Sequence, residues 1–586
     1  MKQFIKFLFA SCLGTIFAFG LMFFGLFLFG SMFSAKDMSI PSNSVLLLDF
    51  KGVVPEKSNN VQQDPFDFES TSYPGLHRIM DLIENAQTDD RIKGIVFKPG
   101  YNPALGMSGA NEIQDALETF RDSTDKFVYS YADFYTNTSY LLASASDSIY
   151  LNPMGMMEMR GYGAMIPFFK DMLDKIGVEM DIFYAGNYKS ATEPFRRNDM
   201  SPENREQVRE YLGDNFAMFL DEISKSRDIS KDNLLELINA LDMNNKEEAL
   251  ALGLVDDELY WHEFEEKLRD ELGLARGKNV SYVDINEYDS KVTITTGSSK
   301  NRIAVVYAEG DVVYDSEERA VISEKKYHKI FDRLRRDKKL KAIVLRVNSP
   351  GGSAFSSDAI WGELEEFKAQ GIPVVASFGD YAASGGYYIA AGADKIVSHP
   401  QTLTGSIGVF SMLPNLTELM NDKLGIQFDT VKTSPNAIQL TPYYDLTDDE
   451  RSVLNEFTDQ MYEKFLTRVA AGRDTTIDAI HEVAQGRVWT GARAYEIGLV
   501  DTLGGLDLAI EIASDLAELD GDYKINSYPK IKKDVWQEIM SEMMKSQDAG
   551  IQLNAYEKQL LDEIKDFRAI LKYREPMARL PFKVKH

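Results

Sequence analysis

The chain has 586 residues, room for about two to four domains, and its 44% hydrophobic content is ample for large cores. A net charge of −27 argues against nucleic acid as a partner and against a broad basic face for anionic lipid. One cysteine, Cys12, excludes a disulfide framework or a thiolate zinc site, and the six histidines fall at no ligand spacing, so no metal is expected.

The first element is apolar. Lys2 and Lys6 precede residues 7–33, which carry no charge and are long enough to span a bilayer with some tilt. A cleaved signal would have a shorter core and a clear small-x-small site, whereas Ser31 and Ala35 make only a weak one. Residues 1–36 therefore read as an uncleaved transmembrane anchor. The lysines before the span, against the mixed pair Lys36–Asp37 after it, put the N-terminus inside and the rest of the chain outside. A lipoprotein signal at Phe9–Cys12 is disfavoured, because only Phe7 and Leu8 separate it from Lys6.

Beyond the anchor the chain repeats itself. Lys93–Lys98 (KGIVFK) matches Lys341–Arg346 (KAIVLR), and Asn43–Val54 parallels Asn301–Val313. Tyr140, Ala143, Asp147 and Ile149 match Tyr387, Ala390, Asp394 and Ile396 at one constant offset, and Leu252–Asp256 matches Ile497–Asp501. This divides the chain into a first domain over 40–292, a linker at Ile294–Lys300, and a second domain over 300–520. Residues 521–586 have no counterpart in the first half, and Lys532–Ala569 reads as one or two amphipathic helices, hence a helical C-terminal extension.

The second half shows the local order best. Ala342–Val347 predicts a strand, Asn348–Gly352 a turn, and Ser356–Gln370 an amphipathic helix closed by Gly371. Val374–Ser377 predicts the next strand, Gly385–Ala391 a helix and Ile396–Val397 another strand. Strand–helix–strand order implies parallel strands with right-handed crossovers, so an α/β class.

Ser384 falls at the tight turn between strand and helix, where free backbone N–H groups and the positive dipole end can hold a developing oxyanion. A helix N-cap serine is the commonplace alternative. The repeat aligns Asn137 with Ser384, so the first half is expected to keep the turn and lack the hydroxyl. It likewise aligns Ala437 with Lys189, so the second half lacks the amine. A duplicated fold with two sites could decay in this way to one shared site. A serine hydroxyl needs a base to remove its proton, and a lysine serves only when neutral. Its pKa must then fall from about 10.4 toward about 7–8, roughly 4 kcal/mol, through burial or nearby cations. Tyr184, Tyr188 and Phe195 could desolvate Lys189, whereas Glu193, if it pointed inward, would oppose the shift. An ordinary solvated lysine is the commonplace alternative. The N–H of Gly385 and that of Gly352, in Pro350-Gly351-Gly352, are the candidate oxyanion donors, and a plain turn is the alternative there.

Several motifs together resemble the bacterial signal peptide peptidase A family in its long, duplicated, membrane-anchored form. They are NSPGG at Asn348–Gly352, AASGGYYIA at Ala382–Ala390, TLTGSIGV at Thr402–Val409, GNYKSATEPF at Gly186–Phe195 and GRVWTGARA at Gly486–Ala494. The resemblance implies a tandem duplication of a Clp-protease/crotonase-like α/β domain. It implies a serine peptidase with a Ser–Lys dyad, Ser384 at the nucleophile position and Lys189 at the general-base position, and Ser406 orienting the lysine. It further implies no cofactor, a ring- or bowl-shaped homo-oligomer with a tetramer favoured, signal peptide remnants as substrates, and a place in the bacterial inner membrane with the catalytic region on the periplasmic side. Rival readings are a serine–histidine hydrolase using His399, a proteolytically inactive envelope scaffold, and acyl-CoA chemistry, which an outward location disfavours.

Overall fold

The computed structural model describes residues 39–50, 53–61, 74–100, 105–240, 246–294, 299–531 and 577–579. The apolar span 7–33, most of the linker and the stretch Lys532–Ala569 lie outside the described residues. Among the described residues no helix is long and apolar enough to cross a membrane.

The first half begins with β1 (Ser44–Leu48), β2 (Ile92–Phe97), β3 (Phe127–Thr136) and β4 (Ser148–Glu158). A separate strand, β5 (Glu179–Ala185), is followed by β6 (Asp257–Glu258) and β7 (Ser281–Asp284). All but β5 form one parallel sheet in the order β6-β4-β3-β2-β1-β7. Near-continuous apolar runs such as Val45–Leu48 and Ile95–Phe97 suit strands covered on both faces.

The second half supplies β8 (Arg302–Glu309), β9 (Asp311–Val312), β10 (Val321–Ile322), β11 (Leu340–Ser349), β12 (Gly351–Ser353) and β13 (Val374–Ala383). It continues with β14 (Lys395–Ser398), β15 (Leu403–Gly405), β16 (Val409–Asn415), β17 (Val488–Thr490), β18 (Thr502–Leu503) and β19 (Lys524–Tyr528), and β20 (Met577–Arg579) is the last described element. Its main sheet repeats the first-half order: β18-β14-β13-β11-β8-β19. The long β13 pairs with β14 along Val375–Phe378 and with β15 along Tyr381–Ala383, so its neighbours fork just before Ser384.

Two sequence expectations change here. The second repeat does not end at 520, because β19 pairs with β8 as β7 pairs with β1, so it has a first-half counterpart. Within 521–586, Lys524–Tyr528 and Met577–Arg579 are strands β19 and β20, and the helices expected at Lys532–Ala569 lie outside the described residues. Second, only the start of Asn348–Gly352 turns: Gly351–Ser353 is strand β12, paired with β9 and β20.

A third sheet joins the halves in the order β10-β9-β12-β20-β16-β5. In it, first-half β5 runs antiparallel to second-half β16, from Ala185 opposite Val409 to Glu179 opposite Asn415. Each half otherwise keeps its own main apolar core.

Candidate active site

The β5–β16 pairing positions the site. Lys189 follows the end of β5 by four residues, and Ser406 precedes β16, so the register fixes both near one end of the shared ladder. Ser384 enters from the other side, at the end of β13, as N-cap of the helix Gly385–Ala390.

The three side chains meet. Lys189 Nζ lies 2.8 Å from Ser384 Oγ, 3.0 Å from Ser406 Oγ and 3.1 Å from the Ser406 carbonyl oxygen. Lys189, Ser384 and Ser406 are all buried, Lys189 at 1% exposure. Burial alone holds the lysine well below its ordinary pKa, because an ammonium loses its hydration there without gaining a counter-ion. Glu193 does not supply one. Its carboxylate turns away to accept from the Ser201 N–H and Asn204 Nδ2.

The backbone at Ser384 is unusual, with φ 55° and ψ −115°, outside the regions an L residue favours. Its N–H donates to the Gly405 carbonyl at 2.8 Å and its carbonyl accepts from the Tyr388 N–H at 2.8 Å, which hold the turn. The close packing behind it needs glycine: a Cβ on Gly386 would come within 2.7 Å of the Ser349 carbonyl oxygen. Gly385 opens the helix, and Gly352 lies in β12, where a Cβ would meet the Val312 carbonyl oxygen.

The first half does not keep this turn, contrary to expectation. Thr136, not Asn137, caps the helix Asn137–Ala143, in a capping box with Ser139. Asn137 instead exchanges hydrogen bonds with the backbone of Arg160, at 2.7 and 2.9 Å. Ala437, opposite Lys189 in the repeat, sits on an exposed stretch.

Some positioning residues had no clear sequence signal. Gln207 donates to the Tyr188 carbonyl and Ser190 Oγ and accepts from the Val488 N–H, tying the lysine loop to the second half. Gly486, at φ +80°, lets that loop approach: a Cβ there would lie 2.7 Å from Lys189 Cα. Gly486 opens the GRVWTGARA motif, which could have pointed to it.

His399 stands apart. It lines a cavity of about 700 Å³ between the halves with His77, Asp81, Glu112 and Asp507, whose lining includes neither Ser384 nor Lys189. Burial, and then the Arg346 charge, draw its pKa down to about 4. No cluster of histidine, cysteine or carboxylate side chains suited to a metal occurs among the described residues.

The profile of Peptidase family S49 matches residues 120–275 and again 366–520, one match per half. "Protease 4" of Haemophilus influenzae is 32% identical over 84% of this chain and 82% of its own length, and "Protease 4" of Salmonella typhi is 36% identical over 82% and 79%. "Serine protease SPPA, chloroplastic" of Arabidopsis thaliana is 30% identical over 85% of this chain and 72% of its own. Among solved structures, "ClpP1 from Listeria monocytogenes" aligns with 34% of this chain and 91% of its own at 15% identity and a TM-score of 0.21. With both halves matched and these relatives covered over most of their length, the chain belongs to peptidase family S49 and is a serine peptidase.

Proposed function

We propose that Ser384 is the nucleophile and Lys189 its general base. The observation that carries this reading is the buried 2.8 Å contact between amine and hydroxyl. A neutral amine has two N–H donors and one lone pair, and three oxygens surround Lys189 Nζ. The Ser406 carbonyl can only accept, and the Ser406 hydroxyl can take the second N–H. That leaves the lone pair for the Ser384 proton.

Lys189 then removes that proton as Ser384 Oγ attacks a peptide carbonyl. The N–H groups of Gly385 and Gly352 hold the tetrahedral oxyanion. Lys189 gives its proton to the leaving amine, and water, deprotonated by the same lysine, frees the acyl group. No cofactor takes part. Ser384→Ala and Lys189→Ala should each lower peptide hydrolysis by about 10⁴-fold or more, with an unchanged circular dichroism spectrum. Hydrolysis surviving in either folded variant would discard the dyad.

The wider reading follows the same family. The span 7–33 anchors the protein in a bacterial inner membrane with the peptidase outside, and its substrates are signal peptide remnants and similar apolar peptides. A head-to-tail ring, with four copies favoured, fits the repeat. The segments 161–167 and 427–433 are the repeat counterparts of β16 and β5, yet they form no strand ladder in the chain, and Met165 and Val431 are 98% and 96% exposed. Pairing one copy's 161–167 with the next copy's 427–433 would reproduce the internal β5–β16 contact at each joint.

A further inference from the structure

We propose that the cavity between the halves is a binding site for a linear polyamine, a small aliphatic cation with ammonium groups spaced along a methylene chain. The inference stands apart from the catalytic reading, since neither Ser384 nor Lys189 lines this cavity.

The cavity measures about 700 Å³, within the roughly 300–1,000 Å³ of small-molecule pockets. Two first-half helices, Leu76–Thr88 and Met107–Ser123, form one side. The other side is second-half chain: His399 and Pro400 after β14, and Leu503–Leu508, where β18 runs into the helix Leu506–Leu516. The charged wall is of one sign. Asp81, Glu84, Glu112, Asp115 and Asp507 line it, and among the described residues no lysine or arginine does. His399 adds no positive charge at neutral pH, because burial and then the Arg346 charge draw its pKa down to about 4.

Two buried groups point to a ligand rather than to a merely acidic wall. The Glu112 side chain is 6% exposed, and its Oε1 accepts from Arg346 Nη2 at 2.7 Å. Its Oε2 has no hydrogen-bond donor among the described residues and is turned to the cavity wall, 3.4 Å from where a Cβ on Gly505 would lie. Arg346 does not balance this charge alone, because the same guanidinium also pairs with Glu56. One buried cation thus serves two buried carboxylates, and a buried carboxylate short of a partner is costly. The second group is His77. Its Nδ1 is buried without a hydrogen-bond partner. The ring nitrogens stand 3.6 Å from Asp507 Oδ1 and 3.7 Å from Asp81 Oδ1, both beyond hydrogen-bond reach. An ammonium placed there, with three N–H donors, has an imidazole nitrogen and two carboxylates to donate to.

The spread of these groups sets the class of cation. No three carboxylate or imidazole side chains among the described residues converge closely enough for a metal ion. The acceptors are instead distributed along a wall that also carries Met80, Ala116, Leu506 and Leu508. Spaced ammonium groups match the acceptors, and the methylenes between them match the apolar surface. Such a ligand touches both halves at once and so stabilises their docking.

The test titrates the full chain with spermidine by calorimetry, at pH 8 and about 0.15 M NaCl, where exposed charge pairs are largely screened. At that pH the Glu112 carboxyl, pushed up to about 7, is ionised. One site is expected. Glu112→Gln and Asp81→Asn should each raise Kd by about tenfold or more, as for loss of a desolvated charge partner. Gly505→Leu changes no charge, sits at φ −94°, which any residue adopts, and fills the cavity, so it should weaken binding equally. It also decides the matter if Glu112→Gln does not fold. Spermidine should raise the Tm of the unsubstituted chain, and magnesium chloride at equal ionic strength should not. Several weak sites in place of one, an equal response to magnesium, or a Kd unchanged in the folded variants would each overturn the proposal.

Discussion

In the proposed mechanism, Lys189 can serve as a base only because it is dry. Its ammonium form loses hydration on burial and finds no carboxylate in return, so the proton is held weakly. Activity should therefore rise with pH through a value well below 10.5, and a pH–kcat/KM profile should lose that limb in Lys189→Ala together with the activity. The same shift bears on stability. The unfolded chain keeps the lysine proton up to 10.5 and the folded chain does not. The full penalty hence applies below the folded pKa and is relieved as pH climbs toward 10.5. Lys189→Met should remove the penalty and give an inactive protein with a higher Tm at pH 7. Position matters as much as protonation. Gly486→Ala would put a Cβ 2.7 Å from Lys189 Cα at φ +80°, and the displaced amine should cost about 100-fold in kcat with the fold retained by circular dichroism.

At the scale of elements, one ladder does the assembling. β5 and β16 come from different halves, and their register sets the lysine loop against the residues around Ser406. Phe183 pairs with Ser411 in the middle of it. Phe183→Pro would fix φ and put a ring in place of a buried aromatic side chain in this ladder, and peptide hydrolysis should fall to background while the two α/β sheets persist, read as retained far-ultraviolet ellipticity. The reciprocal loss of serine and lysine was legible from the repeat, because aligned positions report identities. The conformation was not. Asn137 aligns with Ser384, yet Thr136 caps its helix, since a threonine with a serine three residues on satisfies the helix end without a positive φ. The strand character of Gly351–Ser353 was hidden for a similar reason: Pro-Gly-Gly reads as a turn until two neighbouring strands pair with it.

Across the whole molecule, the halves are also joined by a buried charge cluster. Arg346 is 1% exposed and donates to Glu56 at 2.9 Å and to Glu112 at 2.7 Å, both from the first half, and to Ser377 and the Phe378 carbonyl. Burial, only partly offset by Arg346, pushes the Glu112 carboxyl up to about 7. Its folded pKa lies above the ordinary 4.5, so the native state holds the extra proton. That contribution is complete below pH 4.5 and is lost as pH rises to 7, on the order of 3 kcal/mol. Glu112→Gln should flatten the fall in unfolding free energy over that window in urea titrations. Arg346→Ala, which strands two buried carboxylates, should cost about 3–5 kcal/mol.

By itself the sequence determined the doubling, the α/β class, and which half holds the hydroxyl and which the amine. Those are matters of period and identity, readable along one dimension. Tertiary structure alone decided that amine and hydroxyl lie 2.8 Å apart, that Glu56 and Glu112 face Arg346, and that the last described strand lies beside Gly352. Each joins segments distant along the chain, and such contacts depend on sheet register and shared burial, for which neighbouring residues carry no signal.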